Sequence, residues 1–162
     1  MTFLVPYDGS YLADAALTRA TEYGKALDED IVTVAVIPED DETYAVDKNW
    51  LEEDEEFEIQ AVSSDLHEQV VQIAPEASFR YERSPTSAPE GIALEIKRVA
   101  DNEIPSVVFL GSDNAGQIVT PVTSVAGNVA EDAEYDVHIV RYFSPTEVQE
   151  IEASGDYPGE TR

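Results

Sequence analysis

Short apolar runs alternate with segments of helical period along most of this chain, and that alternation limits the folds open to it. "FLVPY" (Phe3 to Tyr7) is followed by "DGS" and then by Leu12, Ala16, Ala20, Tyr23 and Leu27 at helical spacing. This spells strand, turn and helix, with Ser10 as the N-cap. "IVTVAVI" (Ile31 to Ile37) is too continuously apolar for a half-solvated strand and suits the middle of a covered sheet, ending at Pro38. After an acidic, irregular stretch from Glu39 to Glu56, Phe57, Val62, Leu66, Val70 and Ile73 recur at helical steps.

"ASFRYERS" (Ala77 to Ser84) alternates in character and is expected as an edge strand, where Arg80 and Arg83 can reach water. A helix then begins with Pro89 in its first turn and turns Ile92, Ile96 and Val99 inward. "PSVVFL" (Pro105 to Leu110) is the fourth strand. Thr120 and Pro121 open a further helix, and "DVHIVRY" (Asp136 to Tyr142) is a fifth strand. Strand and helix alternate throughout, which argues for an α/β domain: a parallel sheet with helices on both faces, in three layers. Residues 1–143 are expected to form this one domain. Residues 144–162, polar and without period, are expected to form an acidic flexible tail.

Composition decides which functions such a domain can carry. Against 35 Asp and Glu stand 9 Lys and Arg, a formal charge of −26. In dilute salt that charge opposes a compact state. With 43% hydrophobic residues in periodic segments, disorder is a poor explanation. At about 1 M salt the Debye length falls to roughly 3 Å, so carboxylates barely sense one another. The expected setting is the cytoplasm of a salt-accumulating halophile. Mimicry of nucleic acid would need a focused acidic patch, whereas the carboxylates here are dispersed. With no Lys/Arg cluster, no nucleic acid is expected as a partner.

The chain has no cysteine, which excludes thiol chemistry and disulfides. No signal peptide is read before the first strand and no run approaches membrane-spanning length, so a cytoplasmic location without membrane association is expected. His67, near Asp65 and Glu68, reads as a surface helix residue, since two His without paired spacing make a poor metal site. Ser10, Ser112 and Ser124 lack a placed histidine and a G-x-S-x-G elbow, so no catalytic residue is assigned.

Ligands of doubly wound sheets sit beyond the carboxyl ends of the strands, where strand order reverses. In the order 3-2-1-4-5 that crevice lies between strands one and four. "DGS" (Asp8, Gly9, Ser10) follows strand one and "GSDNAGQ" (Gly111 to Gln117) follows strand four. Asp8 can hold a ribose or adenine group, or simply cap the turn into the first helix.

"FLVPYDGS", "VTVAVIPED", "VVFLGS" and "TSVAGNVAEDAEYDVHIVR", in this order, resemble the universal stress protein (UspA) family over about residues 1 to 142, in a haloarchaeal-like acidic form. The resemblance implies a flavodoxin-like, adenine nucleotide alpha hydrolase-like domain with a five-stranded parallel sheet of order 3-2-1-4-5. It also implies a homodimer formed through the strand at 136–142, where His138 lies.

ATP-binding members of the family have an Asp after strand one, an apolar residue near the end of strand two, and a G-x2-G-x9-G-[ST] loop after strand four. The matching residues here are Asp8, Val36, and Gly111 with Ser112. Asn114 stands in place of the second glycine, with Gly116 two residues on, and Thr123-Ser124 stand in place of the last Gly-Ser. Asn tolerates the left-handed region, whereas Thr123 fills space that a phosphate would need. The loop holds Asp113 and no Lys or Arg, so it offers phosphate only backbone dipoles.

The resemblance thus implies a regulatory stress-response module taking ATP, AMP or another adenine nucleotide, with a divalent ion held only through nucleotide phosphates. A slow ATP hydrolase using the same crevice, and a dimeric scaffold with no nucleotide, are the alternatives. No downstream protein partner can be named.

Overall fold

Strand β1 (Thr2–Pro6) is the centre of the sheet, as its continuous apolar run requires. Helix α1 (Tyr11–Leu27) follows it and leads to β2 (Asp30–Pro38). Then come α2 (Glu42–Asp47), α3 (Ile59–Ile73), β3 (Ser78–Ser84), α4 (Pro89–Glu103), β4 (Val107–Gly111) and β5 (Asp136–Val140). In the computed structural model the described residues are 1–39, 41–111 and 135–141. The expected helix from Thr120, Tyr142 at the end of the fifth run, and the tail at 144–162 lie outside them.

The sheet has five strands in the order β3-β2-β1-β4-β5, and every pairing is parallel. Register runs from Thr2 opposite Asp30 to Pro6 opposite Val34, while Phe3 and Leu4 face Val107 and Val108 on the other side. Because successive residues point to opposite faces, the central strands feed two cores. Phe3, Val5, Tyr7, Ala35, Ile37 and Phe109 pack with α1 and α3. Leu4, Val34, Val36, Val108 and Leu110 pack with Ile92, Ile96 and Val99 of α4. Helices on both faces make this the expected three-layer fold.

Several expected boundaries move. β2 starts at Asp30 and runs through Pro38, and β4 begins at Val107 rather than Pro105. α3 begins at Ile59, so Phe57 precedes it and packs from the approach segment. Leu27 continues the helical spacing of α1 but is 65% exposed, because the helix ends there at Asp28 in the left-handed conformation, beyond the sheet. Tyr23, also part-exposed, packs its ring against Phe109 and His138.

The stretch expected as irregular contains α2. Asp41 caps it by accepting from the Tyr44 amide at 2.9 Å, and Ser87 donates to the other Asp41 oxygen at 2.6 Å. Those two bonds hold the Asp41 carboxyl below the usual carboxylate range, the Ser87 bond contributing more. Six residues are too few for a period of 3.6 to register in the sequence.

At the β3 edge Arg80 pairs with Glu82 and Glu103, and Arg83 with Glu39 at 3.6 Å. His67 is exposed and stacks on Phe79 with ring centroids 4.8 Å apart.

Candidate functional site

The crevice residues are set by a turn whose parts each satisfy a backbone group. Asp8 Oδ1 accepts from the Ser10 amide at 2.9 Å, closing an Asx turn after β1. Gly9 takes φ +79°, a conformation that costs a residue with Cβ. Ser10 then caps α1, its Oγ accepting from the Ala13 amide at 3.2 Å. Of the two roles open to Asp8 in sequence, the turn-capping one is present in the geometry.

Its second oxygen has a partner that sequence reasoning missed. Lys48 Nζ lies 2.6 Å from Asp8 Oδ2, with the two side chains 18% and 28% exposed. Trp50 donates its indole N–H to the Asp8 carbonyl at 2.7 Å. Both residues come from the acidic segment between β2 and α3, forty and forty-two positions away. The single available signal was that Lys48 is the one basic residue between Glu39 and Glu56.

Asn49, at φ +63°, turns the chain so that Lys48 and Trp50 both reach the β1 loop. Tyr44 packs against the core on the α4 face and Trp50 against the core on the α1 and α3 face. Their rings meet edge to face at 5.6 Å. Residues 41–50 therefore form a strap over the carboxyl edge of the sheet, pinned by the buried Ala45 midway along it and by Leu51 just beyond its end.

Beneath the turn, the Tyr7 hydroxyl donates to Asp14 and lies 3.3 Å from Gln69 Oε1. Burial, reinforced by Asp14, drives the Tyr7 phenol far above its ordinary range. Burial also lifts the Asp14 carboxyl, and the Tyr7 hydrogen bond pulls it part of the way back. His138 stacks on Phe109 at 5.0 Å, and its imidazole is lowered first by burial and then by Arg19.

Val36 sits near the carboxyl end of β2, 7% exposed within the α4-side core that Tyr44 also joins. Gly111 ends β4, with its Cα turned toward the first turn of α1: a Cβ there would lie 2.0 Å from the Leu12 carbonyl oxygen. Asp8, Gly9, Ser10, Val36 and Gly111 thus stand at one edge of three adjacent strands. Ser112, Asn114, Gly116, Thr123 and Ser124 lie outside the described residues.

The universal stress protein family model matches residues 1–141, nearly the whole strand and helix succession. The chain belongs to this family.

Three solved universal stress proteins illustrate the likeness, and with it the adenine nucleotide alpha hydrolase-like fold. UspA from Lactobacillus plantarum is 18% identical with a TM-score of 0.60, over 87% of this chain and 97% of that one. A universal stress protein solved in complex with cAMP is 17% identical with a TM-score of 0.57, over 86% and 96%. One from Archaeoglobus fulgidus in complex with dAMP is 16% identical with a TM-score of 0.50, over 86% and 97%. No functionally curated protein matches the chain.

Among the described residues of this universal stress protein, no three His, Cys, Asp or Glu side chains are grouped to hold a metal ion. No described helix is long and apolar enough to cross a membrane.

Proposed function

We propose that this universal stress protein is a regulatory stress-response module that binds an adenine nucleotide at the carboxyl edge of β1 and β4. The observation that carries the reading is the Asp8-Gly9-Ser10 turn. It presents a half-shielded carboxylate beside β4, where strand order reverses and where ligands of such sheets gather. The complexes of related chains with cAMP and dAMP support adenine nucleotides as the ligand class. Both Asp8 oxygens already have partners, Ser10 and Lys48, which favours a binding role over metal-assisted hydrolysis.

Calorimetry in molar KCl with ATP, ADP, AMP and cAMP tests this. At least one is expected to bind saturably, and any ATP is expected to be recovered intact after hours. Absence of heat and of a thermal shift with all four would remove the nucleotide reading, whereas steady release of phosphate would favour an enzyme.

The finer setting we propose is a homodimer in a salt-rich cytoplasm. β5 ends the sheet opposite the charged β3 edge, and its Ile139 is 45% exposed. A second copy of the same strand is the natural cover, since an apolar edge invites pairing. Sedimentation in molar KCl is expected to give a dimer that Ile139→Arg converts to monomer, and both forms are expected to expand on dialysis to about 0.1 M salt. A wild-type monomer at tens of micromolar, or a compact species that ignores salt, would count against the respective half of this reading.

A further inference from the structure

Trp50 holds Asp8 at a different point from its other partners. The Ser10 amide and the Lys48 ammonium meet the two carboxylate oxygens, whereas the Trp50 indole donates to the main-chain carbonyl at 2.7 Å. An indole has one N–H and no acceptor, so this bond uses its whole polar capacity. The ring is placed from elsewhere. The Trp50 amide donates to the Ala45 carbonyl at 2.9 Å, and the ring packs on the core beneath the turn and meets Tyr44 edge to face.

The point of attachment matters because of the residue that follows Asp8. A peptide before glycine turns over readily, since glycine accepts φ of either sign, and Gly9 stands at +79°. Turning the Asp8–Gly9 peptide would carry the Ser10 amide away from Oδ1 and open the Asx turn that aims the carboxylate. With its carbonyl bonded to Trp50, that planar peptide keeps one orientation. A carboxylate offers about four lone-pair sites, so Ser10 and Lys48, on one oxygen each, leave room on both for the hydroxyls of a ligand. Those sites keep their direction only while the turn keeps its shape.

We propose that Trp50 is a positioning residue for the nucleotide site, keeping the Asp8 carboxylate aimed at the ligand by holding the Asp8 carbonyl. This rests on the nucleotide reading above and adds the residue that fixes its anchoring group.

The test is a double-mutant cycle in molar KCl. Wild type is titrated with ATP, ADP, AMP and cAMP. The tightest of these is then titrated into Trp50→Phe, Asp8→Ala and the double variant, with thermal melts to confirm folding. Trp50→Phe is expected to weaken binding about fivefold when Asp8 is present and to have no effect once Asp8 is alanine. Trp50 is the single tryptophan of the chain, so biosynthetic replacement by benzothienylalanine, which keeps the fused ring and lacks the N–H, reads the same loss where W50F proves unstable. Where Asp8→Ala leaves too little affinity to measure, Asp8→Asn closes the cycle, with the Trp50 effect expected to shrink. A loss of the same size with and without the Asp8 carboxylate would make Trp50 a support of the strap alone and overturn the inference. Unchanged affinity in W50F or in the analogue would also overturn it, leaving the nucleotide reading intact. If wild type binds none of the nucleotides, the nucleotide reading fails and takes this one with it.

Discussion

Alanine at Gly111 is expected to destabilise the protein by about 3 kcal/mol, measured by urea unfolding in molar KCl. The reason is contact, since Gly9 is the only described glycine with positive φ. The end of β4 lies so close to the start of α1 that a Cβ would meet the Leu12 carbonyl oxygen at 2.0 Å, the Leu12 carbonyl carbon at 2.4 Å and the Ala13 nitrogen at 2.8 Å. All three are backbone atoms, so no side chain can rotate to relieve the overlap. Relief requires either β4 or the capped first turn of α1 to shift, and the second would disturb the Ser10 cap and the Asp8 turn with it. A loss below about 0.5 kcal/mol would mean that the strand and helix yield easily, and that the crevice is less rigidly framed than this packing implies.

Removing the ring of Phe109 should cost more still, about 3–5 kcal/mol for Phe109→Ala. Phe109 is 1% exposed, and its ring lies 5.1 Å from Phe3, 5.8 Å from Tyr23 and 5.0 Å from His138, joining β1, α1 and β5 through one side chain. The cavity would open where β5 meets the sheet. Amide exchange in Val137 to Val140 is therefore expected to quicken more than exchange in β2, whose partners do not include Phe109. Uniform acceleration across the sheet would argue that the strands unlock together.

These two residues show which parts of the molecule could be seen in the sequence. The alternation of apolar runs and helical period located all five strands among the described residues: burial on both faces leaves a continuous apolar signature in β1, β2 and β4, whereas β3 and β5, at the edges, show only alternation. The Ser10 cap was also legible, since capping is local and its residue preference strong. Gly111 was visible as a glycine at the right edge, where the family pattern places a phosphate contact, but its close packing on the first turn of α1 was not. Lys48 and Trp50 were not visible as site residues. Their bonds to Asp8 span about forty positions and arise from tertiary placement of a helix too short to show a period.

The ion pairs along β3 have a consequence that their strength would not suggest. Exposed pairs contribute little to stability, and concentrated salt weakens them further. Yet a strand arriving at that edge would have to strip water from Arg80, Glu82 and Arg83 before any backbone bond could form. A chain with two open edges can add copies without end, whereas a chain with one stops at a closed pair. At β3, then, charge acts as a terminator of growth, and in a solvent that screens repulsion between whole molecules this local barrier keeps its effect.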